Sequence, residues 1–312
     1  MEKISVVIPT MNRYDSLVRT ITYLINGSIK PNELIVVDQS TDAEIRTKIE
    51  DYLSLLELKA VYYYLEMPSL TKARNIGMEL VSNEIVVQMD DDVDVEIDTL
   101  RNVLCLFEEN KTLSMIAGIN KGGGPSNSLS GYLFGKKSYC KRNIGHVTYA
   151  MYGRFPQKYL DIVESEWAMG FFFVIKKSLF DKWNLHWNEK FIGYAYAEDL
   201  EFSYDYYLRS KREGMKCLMS DRIMVKHNVS TEWRVVPRKH TFMIVLHREY
   251  LSYKFHKSPL ARLATRWSNM GELVRRIVKR ENPKDIWDAQ VFCDKYRKDI
   301  KQGLFHYELF WK

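Results

Sequence analysis

The 312-residue chain is 46% hydrophobic and 13% aromatic, too rich in core-forming residues to stay unfolded in water and long enough for one substantial core with an appended region. Its net charge of +6 is unevenly spread: residues 234–312 hold 18 Lys and Arg against 8 Asp and Glu, while the rest has a slight acidic excess. Cys105, Cys140, Cys217 and Cys293 form no CxxC or His–Cys spacing, which argues against a zinc site or a disulfide framework and fits a reducing cytoplasm. No apolar run approaches the roughly 18 to 20 residues of a membrane span; the longest, 167–175, has core length. Glu2 and Lys3 lead straight into SVVIPT, so no secretory leader is expected.

In chain order, a β-branched run from Ile4 to Ile8 ends at Pro9, residues 16–25 have helical spacing, and Leu34 to Val37 form a second apolar run closed by Asp38. Ala60 to Leu65 predict a third strand. Residues 70–81 predict a helix with Ala73, Ile76, Gly77 and Leu80 on one face, and Ile85 to Met89 close the series. Strands alternating with helices imply an α/β fold whose parallel sheet is covered on both faces and binds ligands beyond the carboxyl ends of its strands. KGGGPSNSLSG, from Lys121, reads as part of a long loop reaching toward Gly135, near the site or simply on the surface. In the tail, Leu260, Leu263, Trp267, Met270, Val274 and Ile277 recur at helical spacing, as do Ile286, Ala289, Cys293, Tyr296 and Ile300 after Pro283. Arg262, Arg266, Arg275, Arg276, Lys279 and Arg280 lie off the first stripe. Such helices suit an anionic membrane surface, packing on the domain, or an oligomer interface, since all three need amphipathicity.

The strand ends carry the polar residues: Pro9, Thr10, Asn12 and Arg13 after the first, Asp38 after the second, Arg74 and Asn75 on the helix over 70–81, and Asp90, Asp91 and Asp92 after the fourth strand. Three consecutive carboxylates repel one another unless neutralised, so a divalent cation of the Mg²⁺ or Mn²⁺ type, which takes oxygen ligands and shares them with phosphates, is the natural partner. Asp38 is placed to accept hydrogen bonds from a nucleobase, and Arg74 to meet a phosphate. Glu198 and Asp199 occupy the first turn of a helix, where the helix field favours an ionised base.

Taken in order, IPTMNR, IVVDQSTD, LTKARNIG and VQMDDDV, followed by the Glu198–Asp199 pair, resemble a family 2 inverting glycosyltransferase of the A-type fold over about residues 4–230. The resemblance implies a Rossmann-like, mostly parallel sheet flanked by helices in residues 1–233, with a nucleotide-binding half to about 115, an acceptor half from 116, and a basic helical extension over 234–312. It implies donor contacts from Pro9, Thr10, Asn12, Arg13, Asp38, Arg74, Asp90 and Asp91, and a manganese or magnesium ion on Asp92 and His227. Asp199 would deprotonate the attacking hydroxyl, Glu198 would hold the acceptor, and Trp167 and Gly170 would shape its site. Ser230, Trp233 and Arg234 would close over the donor, a UDP- or dTDP-linked sugar. The acceptor would be a glycan or a lipid-linked molecule of cell-surface polysaccharide synthesis, met in the cytoplasm or at the inner face of the membrane, with no nucleic acid partner and the oligomeric state open.

Two departures leave the acceptor undefined: Leu200 and Phe202 stand where the acidic pair usually has a tryptophan beside it, and residues 121–155 match no family motif. A nucleotide-binding module without turnover would have no use for the acidic pair. A nucleotidyltransferase or a dinucleotide-dependent dehydrogenase would need glycines after the first strand, and IPTMNRYDS has none.

Overall fold

Short apolar strands and amphipathic helices alternate through the first half because each strand is buried on both sides and each helix must bury one face against it. The computed structural model describes residues 3–122, 129–137, 143–193, 195–228, 237–256 and 258–311. Strand β1 (Ile4–Thr10) leads to α1 (Tyr14–Ile25), β2 (Glu33–Asp38), α2 (Ala43–Ser54), β3 (Lys59–Tyr64), α3 (Leu70–Leu80) and β4 (Ile85–Met89). These strands lie in the order β3-β2-β1-β4, all parallel, with Thr10 opposite Asp38. The pleat sends Ile4, Val6, Ile8, Leu34, Val36 and Val87 into one core with α1 and α2, and Val7, Ile35, Val37 and Val86 into another with α3. β3 is the edge strand, and its Tyr63 and Tyr64 are exposed.

The second half adds β5 (Val93–Val95), α4 (Thr99–Glu109), β6 (Leu113–Asn120), α5 (Leu129–Leu133), β7 (His146–Val147), β8 (Gly153–Arg154), β9 (Val163–Glu164), β10 (Phe172–Lys176), α6 (Lys177–Lys182), α7 (Glu198–Arg212) and β11 (Lys216–His227). Within the expected loop at 121–135, α5 is a short helix, and residues 123–128 lie outside the described residues. β10 runs antiparallel between β4 and β6, so its first residues meet the last residues of β4, with Phe172 opposite Met89. β11 is parallel to β6 and antiparallel to β5, with His227 opposite Val93. Residues far apart in sequence thereby converge on one rim of the sheet.

The tail forms α8 (Pro237–His256), α9 (Pro259–Val278), α10 (Lys284–Lys295), α11 (Arg297–Lys301) and a 3-10 turn at Tyr307–Leu309. Phe242, Leu246, Ile286, Ala289, Cys293, Ile300 and Phe305 share a third core with Met151, Trp167, Phe191 and Leu200, so these helices pack against the segments between β7 and α7. α9 is oriented by its small face: Ala261, Thr265, Ser268, Asn269 and Gly271 are buried, whereas Leu260, Leu263, Trp267, Met270, Val274 and Ile277 are exposed. Four of the arginines that lie off the apolar stripe are engaged within the chain, while Arg280 is exposed. Arg262 pairs with Glu249, Arg262 and Arg266 with Asp294, Arg275 with Glu272 and Glu281, and Arg276 donates to Thr241. Cys105, Cys217 and Cys293 are free, and Cys140 lies outside the described residues.

Helix α3 seats closely on the sheet: a Cβ at Gly77 would come within 2.2 Å of Val7 Cγ1. Overpacking of this kind costs about 1–3 kcal/mol. Gly77→Ala is therefore expected to lower the urea unfolding midpoint by a corresponding amount, and an unchanged midpoint would show that α3 sits elsewhere.

Candidate active site

The chain leaves β4 extended, so alternate residues point to opposite sides, and Asp90 and Asp92 turn one way while Asp91 turns the other. Asp90, Asp92 and His227 offer two carboxylate oxygens and one imidazole nitrogen that all lie within 4.8 Å of one another. His227 reaches this group through its register with Val93, with Nε2 3.0 Å from Asp92 Oδ1 and 3.9 Å from Asp90 Oδ2, and its ring stacks on Phe171. Asp92 Oδ1 is buried and, apart from this His227 contact, has no hydrogen-bond partner among the described residues, a place that a cation would fill. This oxygen-rich donor set suits Mn²⁺ or Mg²⁺. Burial works against ionisation of Asp92, but His227 and Arg13 outweigh it and hold the carboxyl below its usual value.

Asp91 is locked into the protein. It accepts from Thr10 Oγ1 at 2.7 Å and pairs with Arg13 Nη1 at 2.6 Å, while Arg13 Nη2 bonds Asp92 at 2.8 Å. Ser16 and Thr20 donate to its carbonyl. Thr10 and Arg13 thus brace the acidic segment.

Arg74, Asp90, Gly170, Phe171, Glu198, Asp199, His227 and Trp167 line one cleft of about 380 Å³. Arg74 is fully buried. Its Nη2 donates to Asp90 at 2.8 Å and to the Gly170 carbonyl at 3.1 Å, and its Nε lies 3.5 Å from Glu198 Oε1. Gly170 is required by this crowding, because a Cβ there would sit 3.0 Å from Arg74 Nη2 and 3.3 Å from Glu198 Oε1. The Gly170 and Leu200 amides donate to the two oxygens of Asp199 at 2.9 and 2.7 Å, fixing its orientation. Burial nevertheless raises the Asp199 pKa, so the helix turn does not by itself dominate. Burial also pushes Glu198 up to about 8 against the pull of Arg74, and Asp91 up to about 7 against Arg13 and Thr10. Five carboxyl groups, Asp90, Asp91, Asp92, Glu198 and Asp199, surround the guanidiniums of Arg13 and Arg74; burial raises the pKa of all but Asp92, and a divalent cation would draw those beside it back to the ionised form.

Other residues singled out in the sequence lie apart from the cleft. Asp38 is fully buried and accepts from Ser40 and Tyr62; Pro9 is internal to β1; Asn12, at φ 55°, ties the first turn to Thr41. Trp167, in contrast, borders the cleft while most of it is buried in the third core, donating from Nε1 to the Arg154 carbonyl. Ser230, Trp233 and Arg234 lie outside the described residues. The cleft also has lining residues that sequence reading missed: Met151, Tyr152, Arg154 and Tyr196. No periodicity or motif marks their segments. Tyr196 is anchored by His247, a buried imidazole held neutral with its pKa lowered to about 3 by burial; Nδ1 donates to the Tyr196 carbonyl at 2.7 Å and Nε2 accepts from Tyr307 at 2.6 Å.

The model for glycosyl transferase family 2 matches residues 5–183. The chain is 26% identical over 200 residues to the GalNAc(5)-diNAcBac-PP-undecaprenol beta-1,3-glucosyltransferase of Campylobacter jejuni subsp. jejuni serotype O:2, covering 62% of this chain and 57% of the relative. It is likewise 26% identical over 223 residues to the poly(ribitol-phosphate) beta-N-acetylglucosaminyltransferase TarP of Staphylococcus aureus (strain N315), covering 69% of this chain and 61% of the relative. It thus spans less than two thirds of the length of both. Among solved structures, GalNAc-T7 with UDP, GalNAc and Mn²⁺ superposes with a TM-score of 0.58 at 16% identity, covering 97% of this chain and 58% of that one, a likeness of fold.

The buried acids make stability pH-dependent with a definite sign. Glu198 holds its proton more tightly when folded, about 8 against an ordinary 4.5, so its contribution is fully present below 4.5 and is lost as pH rises toward 8. Asp91 acts in the same sense. The metal-free protein is expected to lose thermal stability between about pH 5 and pH 8, and Glu198→Gln to flatten that decline; an equally steep profile in the variant would contradict the assignment.

Proposed function

The chain belongs to glycosyl transferase family 2, and on that premise we propose that it moves a sugar from a UDP- or dTDP-linked donor to a hydroxyl of a glycan or lipid-linked acceptor, with inversion at the anomeric carbon. One observation carries this reading: the Asp90–Asp92–His227 group and the Glu198–Asp199 pair flank a single cleft and are linked through Arg74. The UDP and Mn²⁺ named for GalNAc-T7, and the acceptors named for the Campylobacter and Staphylococcus relatives, support the same classes of ligand here.

Asp90, Asp92 and His227 are the residues that would hold a divalent cation, which when bound supplies Lewis-acid stabilisation of charge on the diphosphate. Asp199, its two oxygens each fixed by a backbone amide, keeps lone pairs free to take the proton of the acceptor hydroxyl as that oxygen attacks the anomeric carbon. Glu198 Oε2 is buried with no hydrogen-bond partner among the described residues and would accept one from the sugar acceptor. Arg74 holds Asp90 and Glu198 in place and adds positive charge beside the leaving group. A single displacement inverts configuration; a retaining course would require a second nucleophile facing the donor.

The exposed apolar stripe of α9, with Lys279, Arg280 and Lys284 exposed at its far end, supports contact with an anionic membrane surface at the cytoplasmic face, where a lipid-linked acceptor would be met. Vesicles rich in phosphatidylglycerol are expected to sediment the protein, and the double substitution Leu263→Glu with Ile277→Glu to abolish sedimentation. Undiminished binding by that variant would remove the stripe from the contact.

For the chemistry, Asp199→Asn is expected to lower UDP release from the productive nucleotide sugar by about 10²–10⁴-fold while UDP–Mn²⁺ affinity, read by calorimetry, stays near wild type. His227→Ala should weaken that affinity instead. Transfer at wild-type rate by Asp199→Asn would exclude it as the base.

A further inference from the structure

Past the base, the cleft changes sign. Arg154, at the end of β8, lines it beside Tyr152 and Tyr196. Its Nε donates to the Lys136 carbonyl and its guanidinium stands 4.9 Å from the centre of the Tyr152 ring. The charged and titratable groups that bear on it are Tyr152, Tyr196, Arg248 and Lys137, and among the described residues none is a carboxylate. Arg248, fully buried on α8, stands 3.8 Å from the same ring; it donates to the Ala150 carbonyl and to Asn269, and its Nη2 has no partner among the described residues. Two guanidiniums therefore converge on one tyrosine where the protein supplies no acid among the described residues. Burial of an unpaired guanidinium costs several kcal/mol by the usual reckoning for buried ions. A purely structural role for Arg154 would use its fork to hold the fold, yet among the described residues only Nε is so used, which leaves both Nη groups for a planar or tetrahedral oxyanion.

Tyr196 feels the charges of Asp199 on one hand and of Arg154 and Arg248 on the other, so the cationic region lies one side chain away from the base. The geometry points to an oxyanion subsite in the acceptor half of the cleft, in which Arg154, reinforced by the field of Arg248, receives a phosphate that the acceptor carries near its attacking hydroxyl. This rests on the reading of Asp199 as the base of a sugar transfer. Two neighbouring cations favour a phosphate or diphosphate over a single carboxylate, and the same chemistry is offered by a lipid-linked sugar diphosphate and by a polyol-phosphate chain. Arg154 then does for the acceptor what the acidic group does for the donor: it sets which end enters and how deep.

The test uses the full chain saturated with UDP and Mn²⁺. Binding is measured calorimetrically for N-acetylglucosamine 1-phosphate, ribitol 5-phosphate and a short-prenyl diphosphate-linked N-acetylglucosamine, each against its neutral parent. At least one phosphorylated probe is expected to bind about tenfold or more tightly than its parent, as charge-assisted hydrogen bonds allow; the probe with the largest advantage identifies the source of the phosphate. Arg154→Met should erase that advantage with UDP affinity unchanged, and Arg154→Lys, which keeps the charge but not the fork, should retain part of it. If the methionine variant does not fold, a lysine variant with the full wild-type preference overturns the subsite, as does equal binding of phosphorylated and neutral probes by the wild type. Failure to bind UDP at all would instead bring down the transferase reading.

Discussion

A fully buried guanidinium joins the two chemical ends of this cleft. Arg74 rises from α3 and touches Asp90 at the end of β4, the Gly170 carbonyl before β10, and Glu198 at the start of α7. A charge out of water is tolerated only when paired, and leaving one partner out costs about 3–5 kcal/mol. The three segments must therefore arrive together for any of them to be stable. The Asp90 and Glu198 carboxyl groups are in this way held in fixed relation before any substrate is present, which the proposed displacement would ask of its catalyst.

The rest of the rim follows from strand direction. Because β10 runs against β4, Gly170 arrives beside Asp90; because β11 runs against β5, His227 arrives beside Asp92. The backbone is bent to serve this convergence. Asn12, Met151, Ala195 and Ala197 adopt left-handed conformations without being glycine, at φ between 47° and 65°, and each such residue costs of order 1–3 kcal/mol. Ala195 and Ala197 stand directly before Glu198, so the strain aims the first turn of α7 into the cleft.

The parallel half was legible in the sequence because fully buried strands read as continuous apolar runs, and the end of such a run is where chemistry collects. Asp90, Asp92 and Arg74 could be found that way. What that rule cannot supply is side-chain direction: that Asp91 turns inward to Thr10 and Arg13 while Asp90 joins Asp92 depends on how the chain leaves the strand. Arg154 was illegible because it sits on a two-residue strand in a segment without periodicity. Helical spacing found α9 but not its orientation. The small residues Ala261, Thr265, Ser268 and Gly271 form a second stripe that permits close packing, and tertiary contact chose that one for the interior.

The bond from Tyr307 through His247 to the backbone of Tyr196 makes the last stretch of the chain a buttress of the acceptor wall. A proteolytic nick or a designed truncation just ahead of residue 305 would strip Phe305, Tyr307 and Phe310 from the third core and leave a buried imidazole nitrogen with nothing to accept. On the proposed function, nucleotide affinity would be a poor witness to such damage, because the acidic end of the cleft is braced from β1 and β4; the trimmed chain would still grip a nucleotide and no longer place the molecule meant to receive the sugar.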